Sequence, residues 1–98
     1  MQICQSLIGG KPVISPLRAI DKIYPATGEI VAKIEPATQE MLDEAVAVAA
    51  FAQRRWAAYE PLARARILHR AAALMREAND ELARLEVLDV GKLYTEAE

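Results

Sequence analysis

The spacing of apolar positions along the chain changes at Thr38. Before it, apolar residues come in short runs broken by Pro12, Pro16, Pro25 and Pro36 and by Gly9, Gly10 and Gly28. Such punctuation marks extended pieces joined by turns. Ile3–Ile8 runs into Gly9-Gly10 and then Lys11–Ile14, a pattern that predicts a small hairpin. Ala19–Tyr24 and Glu29–Ile34 flank Pro25-Ala26-Thr27-Gly28. Proline presets φ early in that turn and glycine tolerates positive φ at its end, so a second antiparallel pair is expected.

From Thr38 onward the period is helical. Thr38 is suited to an N-cap, with Glu40, Asp43 and Glu44 in the first turns where the helix dipole favours acids. Leu42, Ala45, Ala49, Ala52 and Trp56 then form one stripe. Pro61 fits the first position of a second helix. Its stripe is Ile67, Ala71, Leu74 and Ala78, with Leu68 and Met75 beside it. Asn79-Asp80 reads as a break, Leu82, Leu85 and Leu88 resume the helical spacing, and Gly91 is placed to cap the end. The segment is therefore expected to be α+β: short β-hairpins over about residues 3–34, then two to three α-helices over about residues 38–90.

Composition narrows the function classes. With 98 residues there is room for one small domain. Twelve Lys and Arg against fourteen Asp and Glu leave a net charge of −2, which is no electrostatic footprint for nucleic acid or an anionic membrane. The apolar runs are too short for a transmembrane span, and residues 1–10 lack the basic and apolar regions of a secretory signal. The expected location is cytoplasmic. Aromatic residues make up only 5%, and two alanine-rich helices with open strand edges suggest a piece built to pack against something larger.

The chemistry-bearing side chains are few. Cys4, the one cysteine, excludes an internal disulfide and a thiolate metal cluster. With no helix start or nearby histidine, it reads as a small apolar strand residue. His69, the one histidine, falls inside a helix and reads as a partly exposed side chain. Arg64, Arg66, Arg70 and Arg76 are offset by Glu60, Glu77, Asp80 and Glu81. The Glu60–Arg64 and Asp80–Arg84 spacings suit a solvated, charge-paired face rather than a nucleic-acid helix. The isolated glycines make no phosphate-cradling motif. Asp89 stands out, because an acid near a helix C-terminus opposes the dipole and calls for a partner. It is either a hydrogen-bonded structural carboxylate or a cation ligand.

Tyr24-Pro25-Ala26-Thr27-Gly28-Glu29 followed by Ile30-Val31-Ala32 resembles the Asn-Pro-Ala-Thr-Gly-Glu segment near the start of aldehyde dehydrogenases. Asp43-Glu44-Ala45-Val46, then Trp56, then Arg64-x-Arg66-Ile67-Leu68 follow in that family's order. Asn79-Asp80-Glu81-Leu82 and Leu85-Glu86-x-Leu88-Asp89-x-Gly91-Lys92 are similar to its Leu-Glu-Thr-Leu-Asp-Thr-Gly-Lys stretch. Within the family the chain most resembles the bacterial betaine aldehyde dehydrogenases. It departs from the family at Tyr24, where Asn is usual, at Val87 and Val90, where Thr or Asn are common, and at Leu93, where Pro is frequent.

The resemblance implies an α/β parent fold with a Rossmann-like sheet, of which residues 1–98 are an incomplete N-terminal part of the coenzyme-binding domain. It implies an NAD(P)-dependent enzyme, a homo-dimer or tetramer, oxidising betaine aldehyde to glycine betaine. There a cysteine thiolate attacks the aldehyde, hydride passes to the nicotinamide, and a glutamate-activated water completes the hydrolysis. None of the catalytic or NAD(P)-binding residues of that family has a counterpart here, so the chain alone is expected to be inactive. One site carries over. The family's monovalent cation, usually potassium, is held by two backbone oxygens before the Asn-Pro turn and by a downstream aspartate. Those positions are Lys22, Ile23 and Asp89, and the remaining ligands would come from other sequence. The expected partners are the rest of the dehydrogenase fold and, in the full-length enzyme, a small aldehyde; no nucleic acid or membrane is expected. The alternative is a stand-alone interaction module that pairs with a full-length paralogue through its apolar helix stripes.

Overall fold

A computed structural model describes residues 2–98. Five short strands precede four helices: β1 (Gln2–Cys4), β2 (Ser6–Ile8), β3 (Lys11–Val13), β4 (Ile20–Ile23), β5 (Ile30–Ile34), α1 (Gln39–Ala58), α2 (Pro61–Glu77), α3 (Asn79–Val90) and α4 (Tyr94–Ala97). The chain forms two compact units. The first runs to Lys22 and includes Ile30–Ala58; the second joins Ile23–Glu29 to Tyr59–Glu98. Among the described residues no helix is long and apolar enough to cross a membrane.

In the first unit β2 and β3 pair antiparallel across Gly9-Gly10, with Ser6 opposite Val13 and Ile8 opposite Lys11. The expected hairpin is present. The expected Ile3–Ile8 strand, however, is divided at Gln5. Its first half, β1, leaves the hairpin and pairs in parallel with β5, Gln2 opposite Ala32 and Cys4 opposite Ile34. The three-stranded sheet therefore has the order β1-β5-β4. A parallel partner needs a long connection, and here it is everything between Cys4 and Ile30.

Side-chain hydrogen bonds tie the strand ends of this unit together. Ser15 is buried; its hydroxyl donates to the Pro36 carbonyl and accepts from the Leu17 N–H at 3.1 Å. One carboxylate oxygen of Glu35 accepts from the Ser15 N–H at 3.0 Å and from the Gln5 side-chain amide at 3.2 Å. The Glu35 N–H in turn donates to the Cys4 carbonyl at 2.9 Å. The segments after β1, β3 and β5 thus share one small polar cluster. Thr38 caps α1 as expected, its hydroxyl oxygen accepting from the Met41 N–H at 3.1 Å.

The apolar stripe expected to bury α1 is not the buried one. Met41 is buried and Val48 lies against the hairpin, where a β-carbon on Gly9 would sit 3.5 Å from its Cγ1. Leu42, Ala49 and Ala52 are exposed, and only Ala45 and Trp56 of that stripe are half-buried. An alanine-rich helix offers apolar surface on several sides, so its period alone does not select the packed one.

The second unit is organised by its turns. The Tyr24 N–H donates to the Glu29 carbonyl, and the Tyr24 carbonyl accepts from the Gly28 N–H, both at 2.8 Å. Gly28 has φ 77°, as the turn requires. Pro61 is the first residue of α2, where its missing N–H costs nothing. The break at Asn79 needs no loop. Ala78 closes α2 by donating to the Leu74 carbonyl and opens α3 by accepting from the Leu82 N–H. Ala83, only 1% exposed, is the buried apolar residue of α3.

Candidate cation site and family relationships

The three positions expected to bind a cation fall where strand and helix ends meet turns. Lys22 and Ile23 close β4, just before the Tyr24–Glu29 turn, and Asp89 lies in the last turn of α3. Lys22 is counted with the first unit, whereas Ile23 and Asp89 belong to the second.

Within the second unit the structure shows what associates the turn with the helix end. Gly91 ends α3 in the left-handed region at φ 72°, its N–H donating to the Val87 carbonyl at 2.8 Å. A β-carbon on Gly91 would lie 3.2 Å from Pro25 Cβ and 3.5 Å from Pro25 Cγ. The turn proline thus packs directly on the helix cap. Ile23 stands two residues before Pro25 and Asp89 two residues before Gly91, so both candidate positions flank one contact in sequence. The sequence marked Gly91 as a cap and Pro25 as a turn residue, but not that the two touch.

The donor chemistry suits a hard ion. Among the described residues no group of three or more His, Cys, Asp or Glu side chains could hold a metal. A site here would draw mainly on carbonyl oxygens with one carboxylate, and oxygen-only ligands select hard cations over transition metals. At Tyr24 the turn's hydrogen bonds run through the main chain.

The other singled-out residues are placed without a chemical constellation. Cys4 is a free, half-buried thiol on β1, and His69 is exposed on α2. Arg70 pairs loosely with Glu77 at 3.7 Å. Asp80 accepts a hydrogen bond from the Tyr94 hydroxyl at 3.0 Å. That bond, then lost solvent contact and the negative charges of Asp80 and Glu98, raise the Tyr94 phenol above its ordinary 10.0, with Arg84 opposing. Tyr94 also lines a cleft of about 300 Å³ with Arg84, Val87 and Leu88.

The family model described as "Aldehyde dehydrogenase family" matches residues 14–98. The chain belongs to that family. It is 53% identical over 73 residues to a betaine aldehyde dehydrogenase of Rhizobium etli, a match covering 74% of this chain and 15% of that protein. Over 73 residues it is 56% identical to betaine aldehyde dehydrogenase 1 of Rhizobium meliloti, and over 72 residues 54% identical to a betaine aldehyde dehydrogenase of Agrobacterium fabrum, with the same coverages. The matched segment therefore spans about 15% of the length of these relatives. In structure it is similar to a solved 3,6-anhydro-L-galactose dehydrogenase in complex with NAP, with a TM-score of 0.92 at 30% identity. That match covers 98% of this chain and 20% of the other. The α+β segment thus has the architecture found in an aldehyde dehydrogenase.

Proposed function

We propose that this chain is the N-terminal part of the coenzyme-binding domain of an NAD(P)-dependent dehydrogenase that oxidises betaine aldehyde to glycine betaine in the cytoplasm. The supporting observation is identity above 50% to betaine aldehyde dehydrogenases over 72 to 73 residues, about three quarters of this chain. A bound nicotinamide supplies the hydride acceptor in such enzymes. The residues of this chain supply packing: the β1-β5-β4 sheet, the α1 cap and the Pro25–Gly91 contact. Its one thiol, on Cys4, is not the family's nucleophile, so the 98 residues alone do not turn over aldehyde.

The test is a fused enzyme in which this chain replaces the matching stretch of the Rhizobium etli protein. Oxidation of betaine aldehyde coupled to NAD⁺ or NADP⁺ reduction is the expected result. A soluble fused enzyme that oxidises other aldehydes but not betaine aldehyde would overturn the substrate assignment.

The same reading gives the Lys22 and Ile23 carbonyl oxygens and the Asp89 carboxylate a role as part of a potassium site. Two carbonyls tolerate any side chain, and the carboxylate supplies the one formal negative charge. In the fused enzyme Asp89→Asn is expected to abolish the dependence of activity and melting temperature on K⁺. A variant that responds to K⁺ as the parent does would remove Asp89 from the site.

A further inference from the structure

The Pro25–Gly91 contact fixes how closely the turn approaches the end of α3. Gly91 sits in the left-handed region at φ 72° with no side chain of its own. A β-carbon there would come within 3.2 Å of Pro25 Cβ, inside the 3.4 Å at which ordinary van der Waals contact begins. The proline ring cannot rotate aside, because it is closed onto its own backbone nitrogen. One of the two segments would therefore have to give by a few tenths of an ångström.

On the turn side such a shift is carried to Ile23. The Tyr24 N–H donates to the Glu29 carbonyl and the Tyr24 carbonyl accepts from the Gly28 N–H, both at 2.8 Å, so the turn moves as a block. The peptide joining Ile23 to Tyr24 is trans, which sets its C=O antiparallel to its N–H. With the Tyr24 N–H held toward Glu29, the Ile23 carbonyl oxygen is aimed out of the turn. On the helix side, the Gly91 N–H closes α3 on the Val87 carbonyl at 2.8 Å, and Asp89 lies between the two residues of that bond. Metal ligands hold their distances to within about 0.2 Å, which is less than the few tenths a β-carbon on Gly91 would impose.

We infer that Pro25 and Gly91 are a positioning pair for the cation site: the bare Cα of Gly91, seated on the Pro25 ring, sets the spacing of the Ile23 carbonyl from Asp89. This rests on the potassium reading and adds to it two residues that supply no ligand.

The test uses the fused enzyme and follows its melting temperature as KCl replaces N-methylglucamine chloride at constant ionic strength. The quantity read is the K⁺ concentration that gives half of the full shift. Gly91→Ala is expected to raise that midpoint by about tenfold or more, the usual size of effect for a residue that holds a metal ligand in place. Gly91→Asn accepts positive φ more readily but carries the same β-carbon; it is expected to do the same, and it decides the matter if the alanine variant does not fold. Gly10→Ala is the control for backbone strain, since Gly10 has φ 78° and nothing lies within 4 Å of its new β-carbon. It is expected to lower the melting temperature and leave the midpoint within about twofold of the parent. In a Pro25→Gly background, which removes the ring, Gly91→Ala is expected to move the midpoint by no more than about twofold, although its backbone strain remains.

A parent that responds to K⁺ and loses the response in Asp89→Asn, while the Gly91 variants keep its midpoint, overturns the positioning pair and leaves the cation site standing. So does a tenfold rise in Gly10→Ala, or in Gly91→Ala without the Pro25 ring. A parent whose melting temperature ignores K⁺ overturns the cation reading, and the inference with it.

Discussion

The two units of the chain are held in opposite ways. The first depends on side-chain atoms that reach across the chain: the Ser15 hydroxyl, the Glu35 carboxylate and the Thr38 hydroxyl each satisfy backbone groups of another segment or of a helix start. The second depends on atoms that are missing. Gly28 and Gly91 adopt positive φ, Gly91 also lets Pro25 approach, and Pro61 begins α2 without an N–H. Among the described residues no large side chain is fully buried; the buried apolar residues are Ala32, Met41 and Ala83. Where apolar burial is this thin, individual hydrogen bonds and backbone angles carry more of the local specification.

The contrast is broken most strongly in the first unit by taking an atom away. Ser15→Ala removes a buried hydroxyl and leaves the Leu17 N–H and one acceptor site of the Pro36 carbonyl without it. A loss of about 2 kcal/mol is expected from urea unfolding, the cost of stranding buried polar groups. In the second unit adding an atom has the corresponding effect. Gly91→Ala forces a β-carbon into the left-handed region and against Pro25, and is expected to cost about 1–2 kcal/mol. Gly28→Ala sharpens the point. Its φ is nearly the same, but nothing lies within 4 Å of the new carbon, so it should cost only the backbone share, about 1 kcal/mol. Equal losses for the two glycine variants would show that the Pro25 contact contributes nothing.

Thr38→Ala removes one N-cap acceptor and should cost about 1 kcal/mol, read by urea unfolding monitored by circular dichroism. The smallest effect is electrostatic. Because folding raises the Tyr94 phenol, it favours the protonated form. That stabilisation is fully present below pH 10.0 and is lost as pH rises through the raised value. Tyr94→Phe should flatten the alkaline side of the stability profile and leave its neutral part little changed. An identical alkaline loss in both proteins would remove the Asp80 hydrogen bond as its cause.

The legible parts of the fold were those whose cause is local. Gly9-Gly10, Pro25 to Gly28, the Thr38 cap, Pro61 and Gly91 each act within a few residues, and each lies where its chemistry placed it. The parallel pairing of β1 with β5 was not legible, because nothing in Ile3 or Cys4 names a partner so far along the chain. The Ser15–Glu35 cluster was hidden for another reason: serine and glutamate between strands read as solvated loop residues until the strand ends converge. In α1 the alanines obscured the direction of packing. At the candidate cation site, residue chemistry alone singled out Asp89 by its awkward place in the helix dipole. Lys22 and Ile23 would contribute only carbonyl oxygens, which every residue has, so only family resemblance could point to them.

The pairing of Gln2 with Ala32 has a consequence in time as well as in space. During synthesis β1 leaves the ribosome well before β5 exists, and no neighbouring strand can serve in its place. Closing a loop of that span costs about 3 kcal/mol of chain entropy beyond a constant, to be offset by three pairs of partner residues. β1 thus precedes its partner by the whole hairpin and β4, and is set to dock after the β2–β3 hairpin beside it is complete.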